Sequence, residues 1–170
     1  MHTFRNIAFL FGLIGTISSP VVAAELAPIK QDASTAHYRL ELQIGPTEKM
    51  FTPAEVAAQH ATEGEVMVGG KMSMAMGGMS MAMGETRHLE VHVYSLDKGK
   101  VVTNAHVAIA VTDTSSKKVE DVATAKMYGI KGGPSDTHYG NNVSLPPRSY
   151  GIAVTVNGER AEFTVAIPAS

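Results

Sequence analysis

Two stretches of this chain carry side chains able to do chemistry at short spacing. Residues 72–84 read MSMAMGGMSMAMG, a seven-residue unit followed at once by its own second copy. It places Met72, Met74, Met76, Met79, Met81 and Met83 at alternate positions around Gly77 and Gly78. If the two glycines form a two-residue hairpin turn, where positive φ costs them little, Met76 faces Met79, Met74 faces Met81 and Met72 faces Met83. Alternation along strands then sends all six sulfurs to one side, with only serine and alanine on the other. Thioether sulfur is a soft, neutral donor that stays unprotonated near neutral pH and prefers cuprous ion to hard cations. Methionine also fills irregular cores and forms adaptable apolar contact surfaces, so a docking surface is the competing reading, and an idle low-complexity loop is a third.

The second stretch follows four residues later, where His88, Glu90 and His92 stand at i, i+2 and i+4. On a strand these three project from one face at steps of roughly 7 Å. Side chains so spaced rarely close on one ion alone, so ligands from a neighbouring strand or loop are required. The candidates are His106, Met127 and His138, with Met67 placed just before the methionine repeat. Imidazole, thioether and carboxylate together suit copper in either oxidation state, tolerate ferrous iron, and leave zinc open. The competing reading is a polar, solvated strand face. His37 and His60 are read as ordinary surface residues.

The elements that must position these residues are mostly strands. Tyr38, Leu40, Leu42 and Ile44 alternate with polar neighbours, and so do Leu89, Val91 and Val93. Further strands are expected in GEVMVGG, VVTNAHVAIAVTD, VEDVATAKMYGI, NNVSL, SYGIAVTVNG and RAEFTVAIP, with Asn157–Gly158 as a tight hairpin turn. The DKGK turn suggests that the strand around residues 101–113 returns antiparallel beside the histidine-bearing strand. Only PAEVAAQHA has helical composition, and Pro53 suits its first turn. The expected fold is an antiparallel β-sandwich, immunoglobulin-like or cupredoxin-like, carrying a Met-rich hairpin or loop.

In domain terms, residues 1–24 read as a secretory signal: a basic start at Arg5, an apolar run too short to span a bilayer, and small residues before Glu25. Residues 25–35 read as a flexible arm. Residues 36–170 form one β-sandwich metal-binding domain with a Met-rich insertion over 67–84. The expected location is therefore periplasmic. There is no cysteine, so the domain depends on its core rather than on disulfides, and soft-metal chemistry falls to thioethers and imidazoles. A formal charge of −2 argues against nucleic acid as a partner.

Taken together, HLEVHVYSL, NAHVAIAVTD and GPSDTHYGNNVSLPPRSYGIAVTV resemble the periplasmic iron-transport accessory proteins, which bind copper and ferrous iron and accompany a high-affinity iron permease. The resemblance covers residues 85–165. It implies metal-ligand roles for His88, Glu90 and His138, with Met127 a further match, an immunoglobulin-like sandwich and a homodimer. It also implies a membrane metal permease or another periplasmic metal carrier as partner. The chain departs from that pattern in having His92 only two residues beyond Glu90, in having NAHV around His106 in place of a methionine-proline pair, and in the methionine repeat itself.

Among function classes an enzyme is not expected. No G-x-S-x-G elbow, H-E-x-x-H motif or phosphate-binding glycine loop is present, and GIKGGP runs into proline rather than a helix. Two readings remain: an exported protein that binds and hands on copper, linked to iron uptake, and a structural module that docks through its methionine hairpin.

Overall fold

The computed structural model describes residues 27–69 and 86–169. Residues 1–24, expected to be a signal, and the repeat methionines Met72 to Met83 lie outside the described residues. Among the described residues there are eleven strands, the longest of them matching the alternating stretches of the sequence. They are β1 (Ile29–Ser34), β2 (Tyr38–Pro46), β3 (Met50–Phe51), β4 (Glu65–Gly69), β5 (Thr86–Ser95), β6 (Val107–Asp113), β7 (Val119–Val122), β8 (Ala125–Gly129), β9 (Thr137–Ser144), β10 (Ser149–Val156) and β11 (Glu159–Ala166). One helix, α1 (Pro53–Gln59), joins β3 to β4. Its start is fixed by a capping box in which the Thr52 hydroxyl accepts from the Glu55 N–H and the Glu55 carboxylate accepts from the Thr52 N–H.

The strands form an all-β sandwich of two sheets. One has seven strands in the order β1-β2-β5-β9-β8-β4-β3, the other four in the order β11-β10-β6-β7. All pairs are antiparallel except β3 with β4, which the helix turns into a parallel crossover. Between the sheets lies the hydrophobic core. Leu40, Leu42 and Ile44 of β2 face Val93, Val91 and Leu89 of β5 in register, and the second sheet contributes Ile109, Val111, Ile152, Val154, Phe163 and Val165. All of these are buried, as strict alternation on a half-buried strand requires.

Several expectations are corrected. Residues 29–34 are not an arm but strand β1, antiparallel to β2, because Ile29, Gln31 and Ala33 turn inward while Lys30, Asp32 and Ser34 face out. The Gln31 side-chain amide also donates to the Thr164 carbonyl at 2.8 Å, tying this edge to the other sheet. The strand after DKGK does not return beside β5. After an isolated bridge between Tyr94 and Val101 the chain crosses over, and β6 pairs with β10 and β7 in the four-stranded sheet. Its inward set, Ile109 and Val111, satisfies either layer, so periodicity could not tell them apart. VEDVATAKMYGI likewise splits at Ala123–Thr124 into β7 and β8, which belong to different sheets. The last hairpin turn is as expected, with Asn157 and Gly158 both at positive φ.

Candidate metal centre

The outward strand positions of the seven-stranded sheet, on the side away from the core, hold a polar cluster. His88 and Glu90 of β5 alternate with the core residues Leu89 and Val91, so they must emerge on that far side. On β9, His138 and Asn142 share this side, because His88 is directly opposite Asn142 and Glu90 opposite Gly140. Met127 of β8 lies opposite His138, and Met67 of β4 opposite Met127, which puts both thioether residues on the same side. Glu65 opens β4 opposite Gly129.

Two glycines shape the sheet at the cluster: Gly129 leaves space for the carboxylates of Asp136 and Glu65, and Gly140 leaves space for the backbone of β5. A Cβ on Gly140 would overlap the carbonyl oxygen of Leu89, so a residue without a side chain is required opposite Glu90. At Gly129 a Cβ would stand 2.7 Å from a carboxylate oxygen of Asp136 and 3.7 Å from one of Glu65.

Glu65, His88, Glu90 and His138 each place a ligand atom within 4.8 Å of all the others, and all four are buried. The His138 Nε2 lies 3.1 Å from Glu65 Oε2 and 3.4 Å from Glu90 Oε2, and the His88 Nε2 lies 3.6 Å from Glu90 Oε2. His92 joins from the rim, its Nε2 3.5 Å from Glu90 Oε1.

The tautomers are fixed from outside the cluster. The His138 Nδ1–H donates to the Asp136 carbonyl at 2.8 Å. The Asn142 amide is clamped by the backbone of Glu48, accepting from its N–H at 3.2 Å and donating to its carbonyl at 2.8 Å. Its oxygen therefore faces the His88 Nδ1 at 3.0 Å and makes that nitrogen a donor. In the neutral rings both Nε2 atoms are then lone-pair donors aimed at carboxylates. Neither Nε2 has a hydrogen-bond partner, although both are buried, and the same holds for Glu65 Oε2. Lone pairs facing lone pairs in a desolvated site call for a cation between them. This is also the outer bracing by which metal-binding histidines are held and oriented.

Without a metal ion, a proton on His138 can supply that positive charge. Burial opposes ionisation of Glu90, but the adjacent His88 and His92 rings and the positive charge that His138 and His92 can carry outweigh it and hold the carboxyl well below the usual range. Burial likewise works against charging His138, yet its contacts with Glu65 and Glu90 win and the imidazole is pushed up. At the rim, desolvation and the negative charge of Glu65 and Glu90 push Glu48 above the usual carboxylate range, with His88 working the other way. A cleft of about 680 Å³ opens onto the cluster, and Glu41, Glu48, His92, Tyr94 and Asp136 are among the residues that line it.

Because the folded state raises the His138 pKa, protonation of this residue stabilises the metal-free protein below its unfolded value. That contribution is lost as pH rises through the folded value. A bound metal ion requires the deprotonated ring, so its stabilisation has the opposite slope. The expected result is a Tm that falls from pH 6 to pH 8 in chelator-treated protein and rises over the same interval in metal-loaded protein. The falling slope should vanish in His138→Gln. A metal-free Tm that instead rises with pH would contradict the assignment.

Of the residues singled out by sequence, the structure brings His88, Glu90 and His138 together in the buried cluster and His92 to its edge. Met127 and Met67 lie in the same row of the sheet. His106 is elsewhere: it is exposed, precedes β6 of the other sheet, and its backbone N–H and carbonyl are both bonded to Asn157. The six repeat methionines are outside the described residues. Glu65 and Asp136 were missed. The available signal for Glu65 was a carboxylate opening an otherwise apolar strand, EVMVG, and for Asp136 a carboxylate two residues before His138. His37, read as plain surface, accepts no role here but pairs with Glu159 at 2.5 Å on the exposed side.

The donor set has two imidazoles and two carboxylates, with net charge −2 when the rings are neutral, and can hold a divalent transition-metal ion. In comparisons with known proteins, no family model, no curated protein and no solved structure matches the chain.

Proposed function

We propose that this is an exported protein that binds copper at the Glu65–His88–Glu90–His138 cluster and hands it on. The reading is carried by one observation: two buried imidazole nitrogens, each fixed as a lone-pair donor by an outer hydrogen bond, face buried carboxylates with no donor between them. Affinities of nitrogen and oxygen sites rise toward Cu(II) along the divalent series, and thioethers at Met67 and Met127 suit the reduced ion. The methionine repeat, attached at Gly69 and Thr86 to two strands of the same sheet, is the second contributor to this reading, as a separate site for copper that arrives already as Cu(I). A link to iron uptake through a membrane permease, and a periplasmic location, follow from the resemblance described above and belong to the proposal.

The test is a competition titration of the mature protein with Cu(I), Cu(II), Fe(II) and Zn(II) against chromophoric chelators. Beside it run Glu65→Gln and a variant with all six repeat methionines changed to leucine. Cu(II) should bind in preference to Zn(II) and weaken in Glu65→Gln by about tenfold or more, while Cu(I) binding should be lost in the leucine variant. Tight ferrous binding with no copper preference would reassign the centre to iron. No selective binding of any ion, with the leucine variant behaving like the native protein, would leave the apolar docking surface as the better reading.

A further inference from the structure

The ligands of the site fall into two overlapping groups, and His138 belongs to both. Beside the buried four, a ligand atom of His92, of Asp136 and of His138 lie within 4.8 Å of one another. His138 has only one nitrogen to give, since its Nδ1–H is committed to the Asp136 carbonyl. We propose that His92, Asp136 and the His138 Nε2 form a second, outer metal position, and that a single ion passes through it to the buried position by exchanging partners at that nitrogen. This rests on the buried cluster being a metal centre.

Three features favour a transfer path over one enlarged site. One lone pair binds one ion at a time, so the two positions exclude each other. The Glu90 carboxylate spans them, with Oε1 3.5 Å from the His92 Nε2 and Oε2 3.4 Å from the His138 Nε2, and the ion can move without leaving a carboxylate. Exposure is graded at Asp136, which is half-buried while the inner four are buried, and the cleft reaches both groups, being lined by His92 and Asp136 as well as by Glu65, His88 and Glu90.

Asp136 is also set in place by the chain. It ends a 3-10 turn, Gly133–Asp136, and its carboxylate lies over Gly129 and Gly132, where a Cβ would come within 2.7 Å of Asp136 Oδ2 or 2.5 Å of its Cβ. An ion arriving at three protein donors keeps part of its water shell, and completes dehydration only on moving inward. Splitting the desolvation into two steps lowers the barrier to entry and to release alike.

Stopped-flow mixing with Cu(II), read by quenching of tyrosine fluorescence, tests this, since Tyr94 stacks on His92 at 6.3 Å between ring centroids. Asp136→Asn is the variant of choice because it keeps the backbone carbonyl that anchors His138. Association and dissociation rates should both fall by about tenfold, with Kd within about threefold of the native value and one ion bound per chain. Unchanged rates would overturn the outer position. So would a loss of affinity that comes from faster release, which would make Asp136 a ligand of a single site, or binding of two ions at once. Failure of the native protein to bind Cu(II) at all would remove the metal centre itself, an outcome distinct from the other three.

Discussion

A His138→Gln protein should keep its fold and lose Cu(II) affinity by roughly 100-fold or more. Among the described residues His138 is shared by both ligand groups, and its Nε2 contacts both Glu65 and Glu90. Glutamine is chosen because its amide can donate to the two carboxylates, so the substitution does not leave buried charges unpaired. What it cannot supply is an imidazole lone pair. His106→Gln serves as the matched control, since His106 is exposed and bonded through its backbone to Asn157 of the other sheet, and its affinity should stay within about twofold. Chelator competition on the two variants decides the matter. Retention of affinity within tenfold in His138→Gln would show that the buried cluster is not where the ion sits.

Gly140→Ala should give the largest loss of stability of any single methyl added to this chain at a described position. The new Cβ would overlap the Leu89 carbonyl oxygen and stand 2.9 Å from the Cα of Glu90. Both are backbone atoms in the middle of the β5–β9 ladder, so no side chain can rotate aside, and the strands must separate where Leu89 and Val91 anchor the core. The cost should be about 4 kcal/mol, or a fall in Tm of roughly 10 °C for a chain of this size. Thermal melting in the presence of chelator isolates this effect from metal binding. A fall of less than about 3 °C would mean that the ladder has slack at Gly140.

The parts of the fold legible in the sequence are those governed by local period. In β2 and β5 the apolar residues alternate without a break, so both the strands and the common face of His88, Glu90 and His92 could be read directly. Sheet membership could not. β6 has the same inward pattern whichever sheet receives it, and the break between β7 and β8 falls at Ala123–Thr124, with neither glycine nor proline to mark it. β1 was hidden because its inward residues, Ile29, Gln31 and Ala33, include only one large apolar side chain. The site divides the same way. Its histidine strand was visible as a motif, but Glu65 arrives from a strand two places beyond β9, across β8, and only the strand order makes it a neighbour of His138. His106, six residues beyond the DKGK turn by sequence, was separated from the site by that same strand order.

Along β9, Tyr139 points into the core, where its hydroxyl accepts from the Ala105 N–H and donates to the Val102 carbonyl, while His138 and Gly140 on either side belong to the opposite surface. The seven-stranded sheet thus divides its positions into two inheritance classes. Substitutions at one parity are tested by folding, and those at the other, under the proposed function, by ion choice, with Gly140 the position answerable to both. If the cluster holds an ion as proposed, one donor can be exchanged for another, imidazole for thioether or carboxylate for amide, while the interior stays as it was.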